Sequence, residues 1–150
     1  MTHLCIACER VVPLPCAELS RRILQVEHWA DFEGYGPLPG IRSAGFEERT
    51  AAVVGSRIRV TNVDGSSHLE EIVGWEVGRR ADLQMREFSF PLSWLARCID
   101  ETWLFESQGD STRVIRTFAQ GPRAPLARPG LGVISILLRK ASERHLAQLR

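Results

Sequence analysis

Three charged residues are the side chains of this sequence most able to do chemistry: Glu71, Glu101 and Arg116. Each lies in a segment of alternating pattern, and the alternation places all three on strand faces that turn toward the interior. An unpaired charge is costly there, so we expect a carboxylate to pair with Arg116 through bidentate hydrogen bonds. Such a pair or triad could orient a carbonyl or hydroxyl group of a ligand. The alternative is a partly solvated ion pair near a strand end.

These three residues are also the catalytic candidates, because a buried carboxylate with a raised pKa can act as a general acid or base. The four histidines fall in different predicted elements, and none has a clear inward position beside a partner: His3, His28, His68 and His145. The sequence contains no nucleophile elbow, no His-Glu-x-x-His zinc motif and no glycine-rich phosphate loop. It therefore favours a non-catalytic protein, with an enzyme as the alternative.

The cysteines do not match a redox or zinc motif. Cys5 and Cys8 lie three apart in a strand-like segment, where their side chains point to opposite faces. A second Cys-x-x-Cys pair that would complete a zinc site is absent. We expect reduced, mostly buried thiols, and neither a metal nor a cofactor. The alternative is a mixed metal site from His3, Cys5, Cys8 and Cys16.

The elements that must position these residues follow from the periodicity of the sequence. Seven segments have the pattern of strands: residues 3–12, 41–54, 57–63, 68–77, 81–88, 99–106 and 112–118. Asp64-Gly65 and Gln108-Gly109-Asp110 predict hairpin turns between consecutive strands, which favours an antiparallel sheet. Residues 17–29 have helical spacing, and the glycine- and proline-rich residues 34–40 predict turns.

The last part of the chain predicts a long helix. Residues 121–130 hold three prolines and two glycines and are expected to be a linker. Residues 131–149 have helical spacing, and the first half is apolar nearly all round, so other structure must wrap it. The order of elements predicts one α+β domain spanning residues 1–150. Its curved seven-stranded antiparallel sheet wraps around the long C-terminal helix, with two short helices after the first strand.

Five motifs occur in a distinctive order: Val12-Pro13-Leu14-Pro15, Trp29, Val54-Gly55-Ser56-Arg57-Ile58-Arg59-Val60, Leu69-Glu70-Glu71-Ile72-Val73-Gly74-Trp75-Glu76, and the hairpin of Trp103-Leu104-Phe105-Glu106 with Asp110-Ser111-Thr112-Arg113-Val114. The series resembles the polyketide cyclase/dehydrase-like branch of the START-related superfamily, also called SRPBCC or birch-pollen-allergen-like. The resemblance spans nearly the whole chain and implies a helix-grip fold around an internal cavity. It does not fix the function, because this superfamily includes lipid carriers, hormone receptors, cyclases, oxygenase domains and chaperone regulators.

The residues expected to line this cavity are those on the inward strand faces and on the terminal helix. On residues 68–77 the inward face is assigned as the more apolar one, which leaves His68, Glu70, Ile72 and Glu76 outward. The predicted ligand-binding residues are Leu69, Glu71, Val73, Trp75, Leu83, Met85, Trp103, Phe105, Val114, Arg116, Phe118, Ile134, Leu137 and Leu138. The alternative is that these side chains pack against each other and leave no void.

The sequence therefore predicts a protein that binds or transports a small hydrophobic ligand, either lipid-like or aromatic and polyketide-like. The first alternative is a cyclase or dehydratase acting in the same cavity without a cofactor. The second is a protein-interaction module that uses the apolar loop of Phe90, Leu92, Trp94 and Leu95, which could also be a lid or a homodimer contact.

Charge and hydropathy narrow the remaining classes of function. A net charge of +1 gives no general attraction to nucleic acid or to an anionic membrane. We expect no stable membrane insertion, because the longest nearly uncharged apolar run, residues 131–138, is far shorter than the roughly 20 residues that a bilayer requires. No signal peptide is recognisable, so a cytoplasmic location is expected.

Overall fold

A computed structural model describes residues 3–150, in which seven strands form one antiparallel sheet. The strands are β1 Leu4–Val12, β2 Gly34–Tyr35, β3 Leu38–Pro39, β4 Ile41–Glu48, β5 Arg57–Asn62, β6 Ser67–Glu76, β7 Arg80–Arg86, β8 Ala96–Gln108 and β9 Ser111–Pro122. The order of strands in the large sheet is β1-β9-β8-β7-β6-β5-β4, while β2 and β3 pair separately. The predicted seven-stranded antiparallel sheet is confirmed.

The helices are α1 Cys16–Arg22, α2 Leu92–Leu95 and α3 Arg128–Gln148, with 3-10 turns at Val26–Asp31 and Pro125–Ala127. The long helix α3 packs on β1 and β9, so the predicted helix-grip arrangement is confirmed. Within residues 3–150, none of the helices has both the length and the apolar character needed to cross a bilayer.

The two short helices expected after the first strand are α1 and the 3-10 turn at Val26–Asp31, and they are separate because Gln25 has φ −89° and ψ 72°, outside the helical region. Two predicted boundaries are wrong for local reasons. The strand expected over residues 41–54 ends at Glu48, and the turns that follow hold Val53 at φ 70°. The expected linker is short, since β9 continues to Pro122 and α3 begins at Arg128. Pro129 is tolerated in the first turn of α3 because backbone N–H groups there have no helical partner.

The apolar interior consists of two clusters. One joins the central strands to α1 and to the end of α3, with Ile58, Ile72 and Leu146 fully buried. The other joins the first half of α3 to the opposite part of the sheet, through Leu131 and Phe118. Each cluster buries one stretch of α3. The expectation that other structure wraps the first half of this helix is wrong on one side, because Val133 is 59% exposed and Ile136 is 60% exposed.

We expect the Leu131→Ala substitution to lower the free energy of unfolding by about 2 to 5 kcal/mol, because Leu131 is fully buried and truncation leaves a cavity. The matched control is Leu126→Ala, since Leu126 is 94% exposed and should change that free energy by less than about 0.5 kcal/mol. Urea unfolding followed by circular dichroism measures both. Equal effects of the two substitutions would contradict the placement of α3.

Candidate functional site

A cavity of about 790 Å³ lies between the sheet, α1, the loop after β7 and α3. This volume falls within the range of sites that enclose drug-sized ligands. The apolar part of its wall comes from both core clusters and includes Leu19, Ile23, Leu83, Met85, Ile99, Trp103, Phe118, Ile134, Leu137 and Leu138. The core is therefore not packed solid, contrary to the alternative expectation.

Eight of the predicted ligand-binding residues lie on the cavity wall: Leu83, Met85, Trp103, Arg116, Phe118, Ile134, Leu137 and Leu138. The candidate Glu101 lies there as well. Phe105 and Val114 have the predicted inward orientation, but they belong to the core cluster beside the cavity. Trp75 packs against the same cluster. Alternation thus predicted the face correctly on β7, β8 and β9 but not how far the cavity extends along each strand.

The face predicted for β6 is wrong. His68 and Glu70 line the cavity and Ile72 is fully buried, whereas Glu71 forms an ion pair with Arg86 (Oε1 to Nη2, 2.7 Å) and Val73 is 46% exposed. A register shift between Ile72 and Gly74 also breaks the alternation before Trp75.

Leu69 explains why apolarity misled the assignment of β6. It is buried on the outer face, where Arg59 of β5 and Arg86 of β7 lie directly opposite it. The aliphatic stems of arginine can cover an apolar side chain while the guanidinium groups reach water. An apolar residue can therefore be buried without facing the cavity.

The centre of the polar wall is a buried ion pair between Glu101 on β8 and Arg116 on β9. Nε of Arg116 donates to Oε2 of Glu101 at 2.8 Å, and Nη2 forms an ion-pair contact with the same oxygen at 2.8 Å. Oε1 of Glu101 accepts a bond from Trp103 Nε1 at 2.8 Å. The expected pairing is present, but both guanidinium contacts reach one carboxylate oxygen, while the indole of Trp103 donates to the other.

Aromatic rings surround the free side of the guanidinium. Arg116 Cζ lies 4.4 Å from the ring centroid of Trp103, 5.0 Å from that of Phe118 and 5.6 Å from that of Phe32. The negative faces of such rings attract a cation, more strongly where water is excluded. The three rings therefore stabilise the Arg116 guanidinium within an apolar wall.

His145 on α3 completes this group from the opposite side of the cavity. Its Nδ1 lies 3.4 Å from Nη1 of Arg116. Arginine only donates, so Nδ1 must accept, and the proton of the neutral ring is then on Nε2. Burial, aided by the charge of Arg116, lowers the pKa of His145 to about 3. The ring is neutral at physiological pH, and its Nε2–H is a second donor in a wall that Arg116 already makes donor-rich.

A second polar pair lies on the cavity wall at β6. His68 Nε2 is 3.0 Å from Oε2 of Glu70, whose side chain is 5% exposed, and the imidazole contacts the Phe88 ring. Burial raises the pKa of Glu101, and the charge of Glu70 raises it further, while Arg116 opposes both. The cavity wall thus holds two buried carboxylates with different partners.

Sequence reasoning missed three of these residues. Glu70 and His68 were assigned to the wrong face of β6. His145 carried a usable signal, because it follows Leu138 and Ala141 at helical spacing on the buried stripe of α3. Within residues 3–150, three side chains lie close enough together to bind a metal ion: His3, Cys98 and Asp100. They lie outside the cavity.

No protein-family model and no curated sequence matches the chain. Solved structures do. A START superfamily protein from Mycobacterium smegmatis aligns over 99% of this chain and 99% of its own, with a TM-score of 0.68 and 13% identity. The allergen Ara h 8.0201 aligns over 97% and 98%, with a TM-score of 0.66 and 16% identity. The protein TTHA0849 from Thermus thermophilus aligns over 96% and 98%, with a TM-score of 0.63 and 23% identity. The chain therefore has the START-related, birch-pollen-allergen-like fold that its motifs predicted.

We expect His145 to make the protein less stable as the pH falls below about 6.5. The folded pKa is about 3 and the ordinary value is 6.5, so between them the unfolded chain binds more protons. The free energy of unfolding then falls by up to about 1.4 kcal/mol per pH unit from this group alone. The variant His145→Gln should lack this component, and urea unfolding at several pH values between 7 and 5 measures the difference.

The control for this prediction is His28→Gln, because His28 is exposed. Its pH dependence should follow that of the wild-type protein. Parallel curves for the wild-type protein and His145→Gln would contradict a neutral, buried imidazole at this position.

Proposed function

We propose that this protein binds a small, neutral hydrophobic molecule inside the cavity, either lipid-like or aromatic and polyketide-like. The observation that carries the proposal is an apolar cavity of about 790 Å³ with a buried Glu101–Arg116–His145 group in its wall. Burial of ligand surface would supply most of the affinity, at about 25 cal/mol per Å² of apolar area. The polar group would supply orientation.

The charges and donors of the wall select the polarity of this ligand. Glu101 neutralises Arg116, so the pair offers little net attraction to an anion. The remaining N–H groups of Arg116 and the Nε2–H of His145 are donors, which match a carbonyl, ether or hydroxyl oxygen. A ligand with one such oxygen on a planar or aliphatic body fits both parts of the wall.

The loop after β7 forms one rim of the cavity. Phe90, Pro91 and Leu92 line the cavity, while Trp94 is 73% exposed and meets Phe90 edge to face at 4.9 Å between centroids. We propose that this loop acts as the lid through which the ligand enters. The exposed Trp94 ring also suits a contact with a protein partner or a second copy of the chain, and its substitution by serine would abolish such a contact without removing the cavity.

A reducing compartment fits the state of the thiols. The four cysteines are unpaired thiols: Cys5, Cys8, Cys16 and Cys98. Cytoplasmic proteins generally keep their thiols reduced. A cytoplasmic carrier or receptor for the ligand is therefore the form of the proposal that we favour.

A second candidate function is favoured by one observation, the His68–Glu70 pair on the cavity wall. Glu70 accepts the proton of His68 Nε2 and leaves Nδ1 as a base. In this candidate, Nδ1 removes a proton from the carbon beside a ketone, and the C–H electron pair moves to the carbonyl oxygen. Arg116 and His145 would stabilise that oxygen by donation. Cyclisation and dehydration of polyketide-like ketones both begin with this step.

We expect the double variant Arg116→Met/Glu101→Gln to bind 2-naphthol roughly tenfold more weakly than the wild-type protein does, because it lacks the guanidinium donors for the hydroxyl group. Binding of naphthalene, which has no hydroxyl group, should change little. Replacing both partners avoids leaving an unpaired buried charge. Isothermal titration or fluorescence titration measures both ligands.

The matched control for this experiment is Arg113→Met. Arg113 lies on the same strand as Arg116 but pairs with Glu9 and Glu106 on the exposed face. It should bind both ligands as the wild-type protein does. The binding proposal fails if neither ligand binds the wild-type protein, and the orienting role fails if the double variant binds 2-naphthol unchanged.

For the second candidate, we expect the wild-type protein to accelerate exchange of the α-protons of 2-tetralone with D₂O, as followed by proton NMR. Glu70→Gln and His68→Gln should each lower that acceleration tenfold or more, since positioned general bases contribute about 10² to 10⁴ in rate. Glu71→Gln is the matched control, because the neighbouring carboxylate lies on the opposite face. Equal loss in Glu70→Gln and Glu71→Gln, or no acceleration, would contradict the candidate.

A further inference from the structure

Three side chains of different chemistry come together on the outer face of the sheet, away from the cavity. They are His3, Cys98 and Asp100, and one ligating atom from each lies within 4.8 Å of the others. Cys98 and Asp100 alternate with the inward-facing Ile99 and Glu101 on β8. His3 directly precedes β1, which is separated from β8 by β9. The cluster therefore forms across three strands and cannot be read from sequence spacing.

Small residues on β9 allow the side chains of His3, Cys98 and Asp100 to lie close together. A Cβ atom at Gly121 would lie 3.3 Å from His3 Nε2 and 3.5 Å from Cys98 Sγ, so both side chains rest over the bare backbone of this glycine. In the next row of the sheet, Ala119 lies opposite Asp100. The result is a shallow hollow of about 310 Å³ beside His3, Cys98 and Gly121.

We propose that His3, Cys98 and Asp100 bind a divalent cation of the borderline class, with Zn²⁺ as the representative ion. Imidazole nitrogen, thiolate sulfur and carboxylate oxygen are the ligands that Zn²⁺ takes in proteins. Hard cations such as Ca²⁺ and Mg²⁺ require oxygen ligands and would not use the thiol. Tetrahedral zinc bonds would place the three ligating atoms about 3.3 to 3.6 Å apart. Side-chain rotations that shorten the present separations, which reach at most 4.8 Å, would close the site.

The surroundings support a cation site of the open type. Gln84 Nε2 donates to Oδ1 of Asp100 at 3.1 Å, which fixes the carboxylate and leaves its other oxygen for the ion. Three protein ligands leave a fourth position for water or for an external ligand. Arg97 also lines the hollow, but it is exposed to solvent, where water and salt screen its repulsion of a cation.

This site differs from the mixed cysteine site considered from the sequence. Cys8 is buried in the core cluster on the inner side of the sheet, and Cys16 accepts a bond from the Thr112 hydroxyl. Neither belongs to the group of close ligating side chains that contains His3. Cys5 lies on the outer face, across Ala119 from Asp100, and is not among the three clustered ligands.

The test titrates ZnCl₂ into the full chain, free of any tag and kept reduced by a phosphine, and follows the heat. We expect one ion per chain. Cys98→Ala should weaken binding roughly tenfold or more, whereas Cys5→Ala, which removes an exposed thiol from the same face, should bind as the wild-type protein does. Loading with Co²⁺ should give a sulfur-to-metal charge-transfer band that is lost in Cys98→Ala and kept in Cys5→Ala.

Two further variants test the Zn²⁺ site independently of Cys98→Ala. Asp100→Asn preserves the side-chain volume and should also weaken Zn²⁺ binding, so it serves if Cys98→Ala fails to fold, which thermal melting followed by circular dichroism reports. Gly121→Ala should weaken binding by placing a methyl group between His3 and Cys98. The proposal is overturned if the wild-type protein binds no Zn²⁺, if Cys98→Ala and Asp100→Asn bind like the wild-type protein, or if Cys5→Ala loses as much affinity as Cys98→Ala.

Discussion

The ion pair between Glu101 and Arg116 is the interaction on which the cavity depends. Two charges in an apolar interior are costly unless each is paired and its remaining hydrogen-bonding groups are satisfied. Here the carboxylate accepts from Arg116 and Trp103, and the guanidinium is covered by aromatic faces and reaches His145. These partners come from β8, β9 and α3, so the pair links the sheet to the helix that encloses the cavity.

The same ion pair means that the wall of the cavity is not uniformly apolar. A wall made only of leucine and phenylalanine would grip any apolar molecule of suitable volume. The buried pair adds fixed donors at one position, and the His68–Glu70 pair adds an imidazole and a second carboxylate at another. Under the proposed function, the position of a ligand between these two groups would decide whether it is carried or transformed.

Much of the fold followed from local pattern, while the site depended on relations between strands. Hairpin turns and alternation predicted the sheet, and the apolar stripe predicted α3. Alternation on β8 and β9 also predicted that Glu101 and Arg116 both lie on the inward face of the sheet. On β6 it failed, because Leu69 is apolar yet lies outward between Arg59 and Arg86, which only the register reveals. The His3 and Cys98 cluster is beyond sequence reasoning for the same reason.

The position of Trp103 has an optical consequence. Its indole is held by Glu101, lies under the Arg116 cation and stacks near Phe105, with one face on the cavity. The excited state of indole responds to nearby charge and to the mobility of water, so its emission colour differs between a wet cavity and a filled one. Trp29 also lines the cavity but is more exposed to solvent than Trp103, as are Trp75 and Trp94. The chain therefore contains its own fluorescent sensor for whatever occupies its interior.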